Sequence, residues 1–181
     1  TRISKKKKNN IKLSLTPFFI EAAINSLKKH PKLNCSIDGY DILYKEDINI
    51  GCAVATPKGL LVPVIKKTND MDLIEITKEL NTVVKKSRES KLNPSDIVGG
   101  SFSITNPGMY GCSHSQPIIN QPQVAIMSIG NISKKLVFDD NQNIKEISIC
   151  NIGITFDHRV IDGEDAVLFL QEVKKFLENY N

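Results

Sequence analysis

The stretch ITFDHRVIDGEDA, residues 154–166, decides the reading of this chain. Ile154 and Phe156 close an apolar run with strand alternation. From Gly163 onward Ala166, Val167, Leu170, Val173 and Leu177 recur at helical spacing. Asp157, His158, Arg159 and Asp162 fall between the two elements. Such a turn has two readings. A histidine delivered by a strand and flanked by two aspartates suits a base working near neutral pH. Equally, Asp157 and Asp162 can cap the following helix while His158 fills a gap. Spacing alone leaves both open.

Upstream of the turn, ISICNIGITF (147–156) reads as a strand, DDNQN (139–143) as a turn, and VAIMSIGNI (124–132) and KKLVF (134–138) as strands. SFSITN (101–106) alternates apolar and polar residues as a half-buried strand does. Residues 107–123 form a long segment rich in Gly, Pro, Ser and Asn, of the kind that walls functional sites. Leu73, Ile76, Leu80, Val83 and Val84 predict a helix over 72–91, with Asp70 or Asp72 as cap. DILYK, INIGCAVAT and LLVPVIKK read as strands, and the small residues of GCAVA suit one covered on both faces. LTPFFIEAAINSLKKHP predicts a helix with Thr16 as cap and Pro17 in its first turn, ended by Pro31. The fold class is therefore α+β, a mixed β-sheet flanked by helices.

The 181 residues suffice for one domain with a substantial core. The net charge of +4 owes much to the run RISKKKKNN at 2–10. That run reads as a solvated tail or partial N-terminal segment over 1–10, leaving 11–181 as the domain. Few aromatics are available for base stacking, so nucleic acid is not an expected partner. Cys35, Cys52, Cys112 and Cys150 contain no C-x-x-C pair, and they read as packed thiols. No apolar run is long enough to cross a bilayer and no signal peptide is legible; a start at Thr1 fits a piece of a longer protein.

Other catalytic templates fail: there is no G-x-S-x-G elbow, phosphate loop, Rossmann fingerprint or H-E-x-x-H helix. No metal is expected, since His158 lacks further ligands at suitable spacing. His30, among lysines at a helix end, and His114, in the long loop, read as surface residues.

DHRVIDG (157–163) resembles the D-H-R-x-x-D-G signature of the dihydrolipoamide acyltransferases, core subunits of 2-oxo acid dehydrogenase complexes. KLSLTPFFIEAA, NIGCAVATPKGLLVPVIK, GGSFSITNPGMYG and PIINQPQVAIMSIG are similar to further family segments, in family order, so the likeness runs from Lys12 to Tyr180. Chloramphenicol acetyltransferases and peptide-synthetase condensation domains share the shorter H-x-x-x-D-G pattern, usually with a histidine where this chain has Asp157.

The resemblance implies a chloramphenicol acetyltransferase-like fold, N-terminally truncated here, and acyl transfer between the thiols of dihydrolipoamide and coenzyme A. It implies His158 as general base, Thr105 as hydroxyl donor to the oxyanion, and Asp162 as the residue that holds the site together. Asn106 and Gly130 fall at the coenzyme A end of the family channel. The lipoyl group is implied on a separate domain, outside this chain. Implied partners are a homotrimer with the site between subunits, a cubic or dodecahedral assembly, the lipoyl domain, and the decarboxylase and dihydrolipoamide dehydrogenase components. The implied compartment is the bacterial cytoplasm or the mitochondrial matrix. GMYG and INQPQ lie nearer to acetyl- and succinyl-type relatives than to branched-chain ones. Alternatives are a catalytically silent core subunit and an O- or N-acyltransferase of the same fold.

Overall fold

Pro17 and an apolar stripe start the first element of the computed structural model, which describes residues 13–180. The basic run at 1–10 lies outside the described residues. Helix α1 (Thr16–Lys29) buries Ile20, Ala23, Ile24 and Leu27 and carries Lys28 and Lys29 in its last turn, where cations meet the helix dipole favourably. Its N-cap is Leu15 rather than Thr16, which is the first helical residue and whose hydroxyl accepts a hydrogen bond from Asn106 Nδ2 at 3.0 Å.

A hairpin follows, β1 (Cys35–Asp38) against β2 (Asp41–Tyr44), turning at Gly39 with φ +61°. The sequence pattern did not reveal β1, which is too short and too mixed to show alternation. Next come β3 (Ile50–Cys52), the small pair β4 (Val54–Thr56) and β5 (Gly59–Leu61), and β6 (Val64–Ile65). Helix α2 (Leu73–Arg88) starts at Asp72, not Asp70. Asp72 Oδ1 accepts the Glu75 N–H at 2.8 Å and Glu75 Oε2 accepts the Asp72 N–H at 2.9 Å, a reciprocal capping box.

Strands β7 (Phe102–Thr105), β8 (Ala125–Phe138) and β9 (Ile144–Phe156) complete a five-stranded sheet of order β6-β3-β7-β8-β9. The sheet is mixed: β3, β7 and β8 run parallel, and β6 and β9 antiparallel to their neighbours. The two segments expected at 124–132 and 134–138 are one continuous strand, with an irregularity between Ile129 and Ile132. Helix α3 (Gly163–Glu178) ends the fold and packs on α1.

Alternation gives the sheet two unlike faces. Phe102, Ile104, Met127 and Ile129 point into the core shared with the helices, where the rings of Phe102 and Phe169 lie 5.5 Å apart. Full burial of a side chain such as Phe169 contributes roughly 1.5–3 kcal/mol. Ser103, Thr105 and Ser128 occupy the opposite face, which the 107–123 segment covers: Ser103 Oγ donates to Gln123 Oε1 at 2.6 Å and Ser128 Oγ to the Ser115 carbonyl at 3.2 Å. No helix among the described residues is long and apolar enough to cross a membrane.

Candidate active site

Strand β9 delivers the chain to the turn it was expected to enter. The Asp157 N–H donates to the Val124 carbonyl at 2.8 Å, and the Asp157 carbonyl accepts from Val160 and Ile161 at 3.1 and 3.0 Å. The Asp157 carboxylate holds Arg159 at both ends: Nη2 donates to Oδ2 at 2.7 Å and Nε to Oδ1 at 3.0 Å, with the Arg159 N–H adding a bond to Oδ1 at 3.0 Å. This clip closes the loop on either side of His158. Asp162 is the N-cap residue of α3; its N–H donates to Asp165 Oδ2 at 3.3 Å and its carbonyl accepts from Ala166 at 3.1 Å. Of the two aspartates suggested as caps, Asp162 is one, and Asp157 instead serves the clip.

His158 is left projecting. Its side chain is 73% exposed, its ring packs 5.4 Å from that of Phe156, and its Nδ1 lies 3.8 Å from Asp162 Oδ1. Asp162 is therefore near enough to orient the imidazole on a small rotation, but the two are not hydrogen-bonded in this state.

The Arg159 guanidinium holds the Asp157 carboxyl below its ordinary range. Because this aspartate is depressed on folding, the pair's stabilisation is fully present above the unfolded aspartate value of about 3.9 and is lost as pH falls through the lower folded value. Arg159→Ala should therefore lower Tm at neutral pH and flatten its fall on acidification below about pH 4, measured as Tm against pH beside the wild type.

The second set of expected residues lies at the far end of the sheet. Thr105 is the last residue of β7, half-buried, and is the register partner of Ser128 on β8, which pairs in turn with Gly153 on β9. Asn106 is tied to Thr16 at the start of α1. Gly130 is buried beneath the long segment, where the Asn131 N–H donates to the Cys112 carbonyl at 2.8 Å and Asn151 Nδ2 to the Ser113 carbonyl at 3.3 Å. A Cβ on Gly130 would collide with the Ser113 carbonyl, and one on Gly108 with the Gly130 backbone. Close backbone approach thus explains both glycines. Gly130→Ala should cost on the order of 1–3 kcal/mol, read as a lower midpoint in chemical unfolding.

The register keeps the two halves apart within one chain. Thr105 stands level with Gly153, whereas β9 runs three residues further to Phe156, two strands across, before the turn that carries His158. At about 3.3 Å per residue and 4.8 Å per strand they are on the order of 15–20 Å apart. Within one chain the two side chains therefore stand well beyond hydrogen-bond reach of a common atom.

His30 is half-buried at the C-terminus of α1, with its ring 6.3 Å from Phe169, while His114 is exposed with Nδ1 3.1 Å from Ser113 Oγ. Cys35 and Cys52 are buried, and burial pushes the Cys52 thiol up to about 12, which makes it inert. Sequence reasoning passed over Ser115 and Ser128. The alternation of SFSIT and AIMSI held the signal for Ser128, since it puts Ser103, Thr105 and Ser128 on one face.

The fold and the turn together define a chloramphenicol acetyltransferase-like α+β domain with a histidine at the head of its last helix. The profile described as "2-oxoacid dehydrogenases acyltransferase (catalytic domain)" matches residues 1–181, and the chain belongs to that family. A curated relative from Rickettsia felis, the dihydrolipoyllysine-residue succinyltransferase component of the 2-oxoglutarate dehydrogenase complex, is 42% identical over 173 residues, covering 96% of this chain and 43% of the relative. The chain thus spans less than half the length of that relative. Among solved structures, Azotobacter vinelandii dihydrolipoamide acetyltransferase superposes with a TM-score of 0.91 at 30% identity, over 98% of this chain and 74% of that one. The cubic core of a pyruvate dehydrogenase multienzyme complex does so with 0.91 at 31%, with the same coverage. A chloramphenicol acetyltransferase at 14% identity and a TM-score of 0.60, over 91% of this chain and 78% of that one, shares the fold.

Proposed function

We propose that this domain transfers an acyl group between the thiols of dihydrolipoamide and coenzyme A, as a core subunit of a 2-oxo acid dehydrogenase complex, and that the acyl group is succinyl. The observation that carries the reading is the spacing of the reactive groups. The A. vinelandii structure was solved to define the roles of a serine, a histidine and an asparagine in catalysis; its histidine and asparagine are four residues apart, as are His158 and Asp162. Its serine precedes the histidine by 52 residues, against 53 between Thr105 and His158. Succinyl follows from the relatives' shared activity, including a Buchnera aphidicola succinyltransferase 37% identical over 175 residues, which span 97% of this chain and 44% of that relative.

In this reading His158 takes the proton of the attacking thiol, whose ordinary value near 8.5 leaves it mostly protonated at neutral pH. The new sulfur–carbon bond pushes the carbonyl electrons onto oxygen, and the Thr105 hydroxyl donates to that oxyanion. When the electrons return, the other sulfur–carbon bond breaks and the imidazolium returns the proton to the departing sulfur. Asp162 steadies the imidazole through Nδ1. Asn106, anchored by Thr16, borders the coenzyme A end, and Gly130 shapes it by admitting the loop so closely.

The separation of roughly 15–20 Å within one chain supports a site in which His158 of one copy meets Thr105 of another, as in the proposed homotrimer; trimers then build a cubic or dodecahedral core. The lipoyl domain, the decarboxylase and the dihydrolipoamide dehydrogenase are its proposed partners, in the bacterial cytoplasm or the mitochondrial matrix. The test is thioester formation by the full-length assembled subunit, given dihydrolipoamide with succinyl-, acetyl- or isobutyryl-coenzyme A. Fastest turnover with succinyl is expected. Turnover with none of the three would refute the reading, and a preference for another would refute the acyl assignment.

A further inference from the structure

The imidazole of His158 has little of its own to hold it. Its side chain is 73% exposed, and its Nδ1 lies 3.8 Å from Asp162 Oδ1, beyond hydrogen-bond length. Where it points is therefore set by the backbone that carries it. Peptide units are planar, so the direction in which a side chain leaves the chain follows from the two peptide planes that meet at its Cα.

Both planes at His158 are fixed, by different means. The plane before it is held through the Asp157 carbonyl, which accepts from Val160 at 3.1 Å and from Ile161, a wholly buried residue, at 3.0 Å. The plane after it is held through the Arg159 N–H, which donates to Asp157 Oδ1 at 3.0 Å. That second bond ends on a side chain, and a carboxylate can rotate away. The Arg159 guanidinium prevents this: Nε donates to Oδ1 at 3.0 Å and to Oδ2 at 3.2 Å, and Nη2 donates to Oδ2 at 2.7 Å. Exposed ion pairs usually contribute little, but a two-pronged arginine–carboxylate fork is the exception, and the Asp157 side chain is only 20% exposed. These bonds span His158 without using it.

We propose that Arg159 is a positioning residue for His158: by gripping both oxygens of Asp157 it locks the second peptide plane, and with it the direction of the imidazole. This rests on the acyl-transfer reading, in which His158 is the base. Without the guanidinium the Asp157 carboxylate is free to turn to water, the Arg159 N–H loses its fixed acceptor, and the imidazole wanders. A base displaced by about 1 Å can lose on the order of 100-fold in rate.

Arg159→Ala, His158→Ala and the combined variant test this in the full-length assembled subunit, with kcat and KM for succinyl-coenzyme A measured well below the Tm of each. Arg159→Ala should lower kcat about 10- to 100-fold and shift KM by no more than about twofold. In the His158→Ala background the same change should cost no more than about twofold, because no imidazole is left to place. Should the alanine variant fail to assemble, Arg159→Lys takes its place: it keeps the charge but cannot hold both oxygens at once, and a loss of about 3- to 10-fold is expected. A kcat within twofold of wild type for Arg159→Ala overturns the proposal. So does a change confined to KM, and so does an equal fold-loss with and without His158, which would put the effect outside the imidazole. If His158→Ala slows the enzyme and Arg159→Ala does not, this proposal alone fails; if the wild type does not turn over, the acyl-transfer reading falls with it.

Discussion

His158→Ala should lower turnover about 100- to 10,000-fold, the range a well-placed general base contributes. The side chain is 73% exposed, and among the described residues its one ring contact is with Phe156 at 5.4 Å. Truncating it therefore removes little packing. The turn itself is held by the Asp157–Arg159 clip and by the Asp162 cap, neither of which needs the imidazole. The expected signature is a large fall in kcat with Tm shifted by no more than about 2 °C, in line with an exposed surface substitution. Steady-state thioester formation and thermal unfolding of one preparation check both halves; a rate within twofold of wild type would remove His158 from the chemistry.

Thr105→Ala should reduce kcat about 100- to 1,000-fold with little change in KM, because its hydrogen bond strengthens as the oxyanion forms. Thr105→Ser retains the hydroxyl and should recover most of that rate. The contrast separates the proposed role from packing. Thr105 is only half-buried, and its neighbours Ile104 and Ser103 fix the end of β7, so losing one methyl there should be nearly silent. If serine were as slow as alanine, shape rather than hydrogen bonding would govern the position. A rise in KM alone would place Thr105 in ground-state binding.

The parts of the fold that follow from local chemistry were legible in the sequence. Proline in the first turn and the lysines of its last turn mark α1, and the Asp72 and Glu75 pair marks α2, because these residues satisfy free backbone groups of the helix they bound. What was not legible depends on distant contacts. The cap of α1 falls on Leu15, and the Thr16 hydroxyl instead meets Asn106, ninety residues away. Two expected strands fused into β8 because β9 pairs along almost all of it, which no window of β8 alone reveals.

The candidate site divides the same way. The strand, turn and helix around His158 are contiguous, so their order could be read directly. Spacing allows both aspartates as caps, and the side-chain geometry separates them: Asp162 is the cap residue and Asp157 clips Arg159. Gly130 shows the reverse: the family resemblance implies a role at the coenzyme A end, while the packing of the Ser113 carbonyl over it gives a reason for glycine that no local pattern carries. Ser115 has no motif. The burial of its hydroxyl without a partner among the described residues is a property of the folded chain alone.

The central claim is that the working site joins His158 of one copy to Thr105 of another. The most direct measurement is complementation between two disabled variants. His158→Ala and Thr105→Ala subunits are prepared separately, mixed in equal amounts, unfolded and reassembled together, and assayed for thioester formation beside each variant reassembled alone. Random assembly gives about a quarter of the sites an intact histidine facing an intact threonine, so the mixture should recover about a quarter of wild-type turnover while either variant alone stays near zero. A mixture no more active than the two separate variants would contradict the account, since it would mean that both groups act within one chain.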